Sequence, residues 1–248
     1  MTNILKLKHL GAALTLGCAL SPAAFAGLIA NGGFEAGFSN WNRVNLIGSE
    51  GTFVLQTGTT SPVNDDAVPA PPGGVTAAMT DALGPGSHVL YQDFLVPTSV
   101  GGGLLTFQLF TGNRAGTFFT PSPASLDFST PALNQQARVD ILLAGTDPFS
   151  VASSDVLLTA FQTAAGNAAV SGYNTFNVDI TSLLNAHVGS TLRVRFAEVD
   201  NVFTFQMGVD NVDVITSAPG AVPEPSSWLL TCGAFAVLGL TARRRRRP

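Results

Sequence analysis

The middle of the chain contains very few basic residues. Charged residues make up 11% of the 248 residues, and the formal net charge is −4 at pH 7. Both lysines, Lys6 and Lys8, lie near the start, and half of the arginines form a run from Arg243 to Arg247. Residues 27–222 therefore carry five arginines, no lysine and fifteen acids. This negative charge argues against nucleic acid and anionic lipid as partners, and suits cations or neutral polymers.

Cysteine is also missing from the middle of the chain. Cys18 and Cys232 are the only cysteines, and both lie in the terminal segments. The body therefore has neither a disulfide nor a thiol nucleophile. Its stability must come from its core or from a bound ion.

Catalytic motifs are absent from the sequence: it has no G-x-S-x-G, no H-E-x-x-H, no phosphate loop and no dinucleotide fingerprint. We interpret the two body histidines, His88 and His187, as surface or turn residues rather than bases. A glycosidase needs only two carboxylates a few ångströms apart, but nothing in the sequence selects a pair. We therefore expect no enzyme, and keep a secreted polysaccharide-active hydrolase as the alternative.

Residues 1–26 have the features of a secretory signal peptide. Lys6 and Lys8 provide its positive region, and an apolar run follows from Leu10 to Leu20. Ser21-Pro22 breaks this run, and Ala24-Phe25-Ala26 supplies a small-x-small cleavage site. We predict export, with signal peptidase cutting before Gly27.

The C-terminal segment combines a short motif, an apolar run and a basic tail. Val222-Pro223-Glu224-Pro225-Ser226 precedes an apolar run from Trp228 to Ala242, and the arginines follow. A helix of this length rises about 22 Å, short of the roughly 30 Å hydrocarbon core. Thinning of the bilayer, or anchoring by Trp228 and the arginines, would still hold it there. The segment predicts a short transmembrane helix with the body outside the cytoplasm.

This arrangement closely resembles the PEP-CTERM sorting signal of Gram-negative bacteria. The resemblance covers residues 222–248, with Pro223, Glu224 and Pro225 as the sorting motif. It implies that an exosortase processes the chain after the helix has tethered it to the inner membrane. The destination would be the cell surface or extracellular matrix. An ordinary tail anchor is the alternative.

Between these segments we predict one all-β domain over residues 27–216, followed by a linker at residues 217–221. Short apolar alternations separated by glycine and proline favour a β-sandwich or jelly roll. We also expect helical turns at Ser182 to Ala186 and near Ser154 to Thr163. The alternations occur at 105–110, 138–141, 176–180, 192–196 and 203–209.

Several short motifs resemble the galactose-binding-like jelly rolls, including carbohydrate-binding modules of the family 4/9 type. They are Asn31-Gly32-Gly33-Phe34-Glu35 with Phe38 and Trp41, then Gln92, Val96-Pro97, Asp179-Ile180-Thr181 and Gly208-Val209-Asp210-Asn211-Val212. The resemblance implies sugar binding and a fold in which the first and last strands meet. Glu35 would then lie near Asp210.

A structural Ca²⁺ bound by Glu35 and Asp210 follows from this resemblance and from one irregularity. The inward-facing residues alternate regularly up to Val209, but the next apolar residue is Val212, three positions later instead of two. This irregular step predicts a β-bulge at Asp210-Asn211. Calcium takes six to eight oxygen ligands, so backbone carbonyls near Asn31 would have to help.

Glu198 and Asp200 form a second irregularity. If the strand at residues 192–196 continues, both acids share the face of its apolar residues. A carboxylate cannot be buried alone without a large cost. Either the strand ends first, which leaves the acids in a solvated loop, or a partner neutralises them.

The polar segment from Thr111 to Gln136 is long enough to have a function of its own. If it binds a ligand such as exopolysaccharide, we expect Asn113, Arg114, Gln135 and Gln136 to make the contacts. A merely structural insertion is the alternative. We interpret Trp41 as a core residue rather than a sugar platform. Overall, the sequence predicts an exported, non-catalytic surface or matrix protein that binds exopolysaccharide or aids adhesion and biofilm assembly.

Overall fold

Residues 25–219 are described here from a computed structural model. They form eleven strands and one short helix. The bounds are β1 Phe25–Gly27, β2 Asn42–Asn45, β3 Thr52–Thr57, β4 Thr76–Asp81, β5 Gly86–Leu95, β6 Gly102–Asn113, β7 Gln135–Leu143, β8 Val156–Gln162, β9 Asn174–Asp179, α1 Thr181–Ala186, β10 Thr191–Asp200 and β11 Phe205–Ser217.

The strands form two antiparallel sheets, so the predicted all-β sandwich is confirmed. Sheet A has the order β3-β4-β11-β6-β9, and β1 pairs with the end of β11. Sheet B has the order β2-β5-β10-β7-β8. Each sheet pairs strands that are distant in sequence: β4 pairs with β11 in sheet A, and β5 pairs with β10 in sheet B.

One apolar core fills the space between the sheets. Alternate residues of each central strand point into it, because successive side chains of a strand face opposite ways. Phe196 of β10 in sheet B meets Phe107 of β6 in sheet A edge to face, with ring centroids 5.7 Å apart. Trp41 is 7% exposed and packs on Phe34 and Phe196, which confirms its assignment to the core.

One of the two predicted helical turns is confirmed, and the other is wrong. Helix α1 covers Thr181–Ala186, close to the expected position. Residues 156–162 instead form β8, which pairs with β7 through two register shifts. Strand β7 supplies hydrogen bonds to this segment, and this tertiary pairing overrides the local helix preference of its leucines and alanine.

Two loops cover the outer face of sheet B. Leu126 and Phe128 of the β6–β7 loop pack there with Phe149 and Val151 of the β7–β8 loop. Beneath them, Arg195 is fully buried and binds Asp140, which also accepts hydrogen bonds from Arg138. The outer face of this sheet is therefore a second packed layer.

Two predicted segments lie outside residues 25–219. These are residues 1–24 of the predicted signal peptide and the sorting segment at residues 222–248. Within the described range, no helix is long and apolar enough to cross a membrane.

Candidate functional site

Glu35 and Asp210 both bind the segment that enters β4. The exposed Glu35 follows a tight turn in which Asn31 and Phe34 have positive φ angles. Its Oε1 accepts hydrogen bonds from the backbone N–H groups of Val75 at 2.8 Å and Thr76 at 2.9 Å. The Thr76 hydrogen bond holds the pKa of Glu35 below its usual value. Glu35 therefore ties the opening motif to sheet A.

Asp210 lies at the predicted bulge, which the structure confirms. The register of β11 against β6 shifts between Asp210 and Asp213, and Asn211 has a φ of 50°. Asp210 Oδ2 accepts a hydrogen bond from Gly73 N at 3.0 Å, and its Oδ1 accepts one from Asn211 N at 2.7 Å. Burial raises the pKa of Asp210 to about 6, and the charge of Glu35 adds to this shift.

The two acids therefore approach each other around residues 73–76. A Cβ on Gly74 would overlap the Glu35 carboxylate, so only glycine fits there. Both Asp210 oxygens accept one N–H bond each and keep lone-pair capacity for a cation. Glu35 Oε1 already accepts three hydrogen bonds, so a cation would have to bind Oε2 of this residue. The carbonyl of Asn31 already accepts bonds from Phe34 N and the Trp41 indole. These residues fit a hard cation as two of its ligands, and calcium binding stays a proposal.

The residues predicted to bind a ligand occupy two different places. Asn113 and Gln135 are buried and hydrogen-bonded to each other, and Gln135 also binds the backbone of residues 202 and 203. Gln136 is buried under the β6–β7 loop, where its Nε2 donates hydrogen bonds to Ser125 O and Asn134 Oδ1. Arg114 is partly exposed and pairs with Asp66. Ligand binding by this set stays a prediction, and three of its four side chains already serve the fold.

His88, Glu198 and Asp200 form a buried cluster at one end of the sandwich. Strand β10 continues to Asp200, which excludes the solvated loop, one of the two alternatives left open by the sequence. The interpretation of His88 as a surface or turn residue is wrong, because it is 1% exposed on β5, opposite Glu198. One ligand atom from each side chain lies within 4.8 Å of the others. His187, by contrast, ends helix α1 as a turn residue.

Burial controls the protonation of this cluster. It raises the pKa of Glu198 well above its usual value and that of Asp200 to about 7. The same burial lowers the pKa of His88 to about 4. The cause is the poor solvation of any charged form between the sheets. Without a cation, burial therefore favours a neutral His88 and a protonated Glu198.

The sequence contained a signal for the acids of this cluster but not for the histidine. Periodicity alone placed Glu198 and Asp200 on the inner face of their strand. His88 reaches them only because β5 pairs with β10, although more than a hundred residues separate His88 from Glu198 in the sequence. The local alternation of apolar and polar residues cannot predict such a long-range register.

An open groove lies between the edge strands β8 and β9. Its floor is apolar, and the rings of Phe161 and Phe176 meet there at 5.0 Å. Its volume is about 170 Å³. None of its lining residues is charged; they are Leu109, Thr111, Phe118, Phe161, Thr163, Asn167, Ala168, Ser171, Asn174 and Phe176.

Calcium should stabilise the protein through Asp210. Because an ion that binds only the folded state raises stability with the logarithm of its concentration, calcium added to chelator-stripped protein should raise the melting temperature by several degrees. Asp210→Ala should abolish this response, while Asp213→Ala, a control on the same strand, should keep it. Equal melting of the wild type with and without calcium would leave Glu35 and Asp210 as hydrogen-bonding residues alone.

Glu198→Gln should stabilise the metal-free protein increasingly as pH rises. The folded state keeps a proton on Glu198 that the unfolded state releases, so wild-type stability is lost as pH rises above the usual glutamate pKa, and the variant lacks this loss. Thermal melts in chelator from about pH 5 to about pH 8 measure the difference. Asp155→Asn is the control, since hydrogen bonding from Ser150 lowers the pKa of this partly exposed acid and reverses the sign. A pH-independent difference would contradict the buried protonated state.

Solved structures with similar folds include a carbohydrate-binding module, an adhesin domain and a tailspike domain. The carbohydrate-binding module TmCBM61, solved with β-1,4-galactotriose, is 12% identical with a TM-score of 0.43, over 76% of this chain and 97% of its own. An adhesin domain of the Lys-gingipain of Porphyromonas gingivalis is 17% identical with a TM-score of 0.46, over 78% and 99%.

The enzymatically active domain of tailspike protein 4 from bacteriophage CBA120 is 13% identical with a TM-score of 0.44. The match covers 77% of this chain but only 21% of the tailspike chain. Similarities at this level do not extend any of these activities to this protein. No curated protein matches the sequence.

A family model described as the PEP-CTERM protein-sorting motif matches residues 221–247. The match coincides with the segment that combines Pro223-Glu224-Pro225, the apolar run and the arginine tail. It begins four residues after the end of β11 at Ser217. The chain therefore carries a PEP-CTERM sorting motif directly behind its β-sandwich.

Proposed function

We propose that this protein is exported, sorted by an exosortase to the cell surface or extracellular matrix, and acts there by binding rather than by catalysis. The observation that carries the proposal is the sorting motif at residues 221–247, joined by a short linker to the sandwich. The signal peptidase would remove the N-terminal segment. The C-terminal segment would hold the chain at the inner membrane until the exosortase acts.

The buried acids count against the hydrolase alternative. A glycosidase places two carboxylates on either side of a bound sugar. Glu198 and Asp200 instead lie between the sheets, at 1% and 5% exposure. A polysaccharide chain cannot reach Glu198 without separating the sheets.

The groove between β8 and β9 is our candidate for glycan binding. Sugars present apolar ring faces and hydroxyl groups, which an aromatic floor and a neutral rim of amides and hydroxyls complement. Its volume is below the roughly 300 Å³ lower bound of small-molecule sites, so it would take a single sugar unit of a longer chain. The uncharged lining suits a neutral exopolysaccharide.

Processing in the native host tests the sorting proposal. The surface protein should lack both terminal segments, as intact-mass measurement would show. Replacing Pro223, Glu224 and Pro225 by alanine should leave the arginine tail attached and the protein at the inner membrane. Alanine at the neighbouring Ser226 and Ser227 is the matched control and should leave processing unchanged. A wild-type surface protein that still carries its arginine tail would favour a permanent tail anchor.

Binding of host exopolysaccharide tests the groove. Ala168 is exposed on the rim, so Ala168→Trp should fill the groove without disturbing the core and should abolish binding in a pull-down or by calorimetry. Phe203→Ala, which removes an exposed aromatic that does not line the groove, is the control and should bind as the wild type does. Equal binding by wild type and Ala168→Trp would place the glycan elsewhere. No binding by the wild type would contradict the glycan role while leaving the sorting proposal standing.

A further inference from the structure

We propose that His88, Glu198 and Asp200 bind a divalent transition-metal ion of the zinc class inside the sandwich. The three side chains come from adjacent strands, since β5 pairs with β10 and places His88 opposite Glu198 and Gly86 opposite Asp200. One ligand atom from each lies within 4.8 Å of the other two. Small rotations about the side-chain bonds would bring these atoms to a common ion at about 2.0–2.2 Å.

The cluster contains two buried polar atoms that have no partner in the described chain. Nε2 of His88 and Oε1 of Glu198 make no hydrogen bond there, although each side chain is only 1% exposed. Buried polar atoms are almost always satisfied, and each exception needs an explanation. A cation between the two atoms would satisfy both at once.

Contacts outside the cluster orient its ligands as metal sites require. Nδ1 of His88 lies 2.9 Å from Oδ1 of Asn45, so a proton on Nδ1 would donate to Asn45 and leave Nε2 able to bind a metal ion. A hydrogen bond with Thr80 from sheet A holds Glu198. Gly86 N donates to Oδ1 of Asp200 at 2.8 Å. Such outer contacts set the tautomer and direction of metal ligands.

The protein supplies no cation of its own for these acids. Residues 25–219 contain no lysine, and all five arginines are engaged elsewhere: Arg43 with Phe53 O and the Phe38 ring, Arg114 with Asp66, Arg138 and Arg195 with Asp140, and Arg193 with Asp93. Two unpaired carboxylates between packed sheets are costly unless a proton or a metal ion neutralises them.

The donor set selects the class of ion. An imidazole nitrogen with two carboxylates is typical of zinc and related transition ions, whereas calcium takes oxygen ligands. Access comes through an open pocket of about 270 Å³ beside Asp200, between the β4–β5 and β10–β11 turns. The negative charge of Glu50 near Asp200 favours entry of a cation.

Metal content of the full-length protein is the first test. Chelator-stripped wild type reloaded with Zn²⁺ and desalted should hold about one ion per chain by elemental analysis, and Glu198→Gln should lose it. His187→Gln is the matched control, because it removes the partly exposed histidine at the end of α1 and should keep the ion. Loss of the ion in His187→Gln but not in Glu198→Gln would assign it to the surface and overturn the proposal.

Melting separates this site from the calcium site. Zn²⁺ at about 100 times its dissociation constant should raise the wild-type melting temperature by roughly 5–10 °C. Asp210→Ala should keep this shift, and Glu198→Gln should lose it while remaining folded, since its amide replaces a protonated acid of the same shape. An equal Zn²⁺ shift in wild type and Glu198→Gln, or none in either, would leave the cluster as a proton-neutralised acid pair.

Nuclear magnetic resonance of the His88 ring reports the ligand atom directly. Zn²⁺ should shift the Nε2 resonance and leave Nδ1 protonated toward Asn45. Asn45→Ala should weaken Zn²⁺ binding by roughly 10-fold or more, as expected for loss of an orienting contact. An unshifted His88 ring in zinc-loaded protein would overturn the assignment. None of these readouts depends on glycan binding or on sorting.

Discussion

Strand β10 is hydrogen-bonded along its whole length to both β5 and β7, and this uninterrupted pairing determines what lies on each of its faces. Its inner face begins with Leu192, Val194 and Phe196 in the core, and the two-residue period then carries Glu198 and Asp200 inside. Its outer face places Arg195 against Asp140 under the β7–β8 loop. A strand that ended at Phe196 would have released the acids to water. Because the ladder is continuous, the carboxyl groups of Glu198 and Asp200 are buried at this end of the sandwich and need a proton or a cation to neutralise them.

Strand β11 handles its acid in the opposite way. The bulge after Asp210 interrupts the ladder and turns this carboxylate toward Gly73, so two main-chain donors satisfy it. Backbone donors can stabilise a carboxylate without any cation. Glu35 is held similarly at Val75 and Thr76, and the opening motif is thereby joined to the last strand. The acids at the bulge thus have donors before any ion binds, whereas Glu198 lacks a partner at Oε1.

Local pattern predicted most of the fold, because alternation, turn residues and the odd step at Asp210 are local features. The same pattern placed Glu198 and Asp200 on the apolar face. It could not assign β8, whose strand pairing is decided by β7 and not by its own residues. The pattern also could not predict that His88 lies beside the acids or that Gln135 is buried. Both placements depend on the register between strands that are far apart in sequence. Sites assembled across sheet neighbours lie beyond what periodicity can specify.

The composition of the body and its destination bear on the same physical problem. A lysine-free sandwich without disulfides engages its five arginines with other partners, so no side-chain cation is left for the acids between the sheets. Those acids must take a proton or a metal ion from the surroundings. On the proposed route, export would move that choice from the cytoplasm to the outside of the cell, where pH and available metal differ. The neutralising partner of Glu198 would then be set by the compartment that the chain reaches, and its stability would be linked to location.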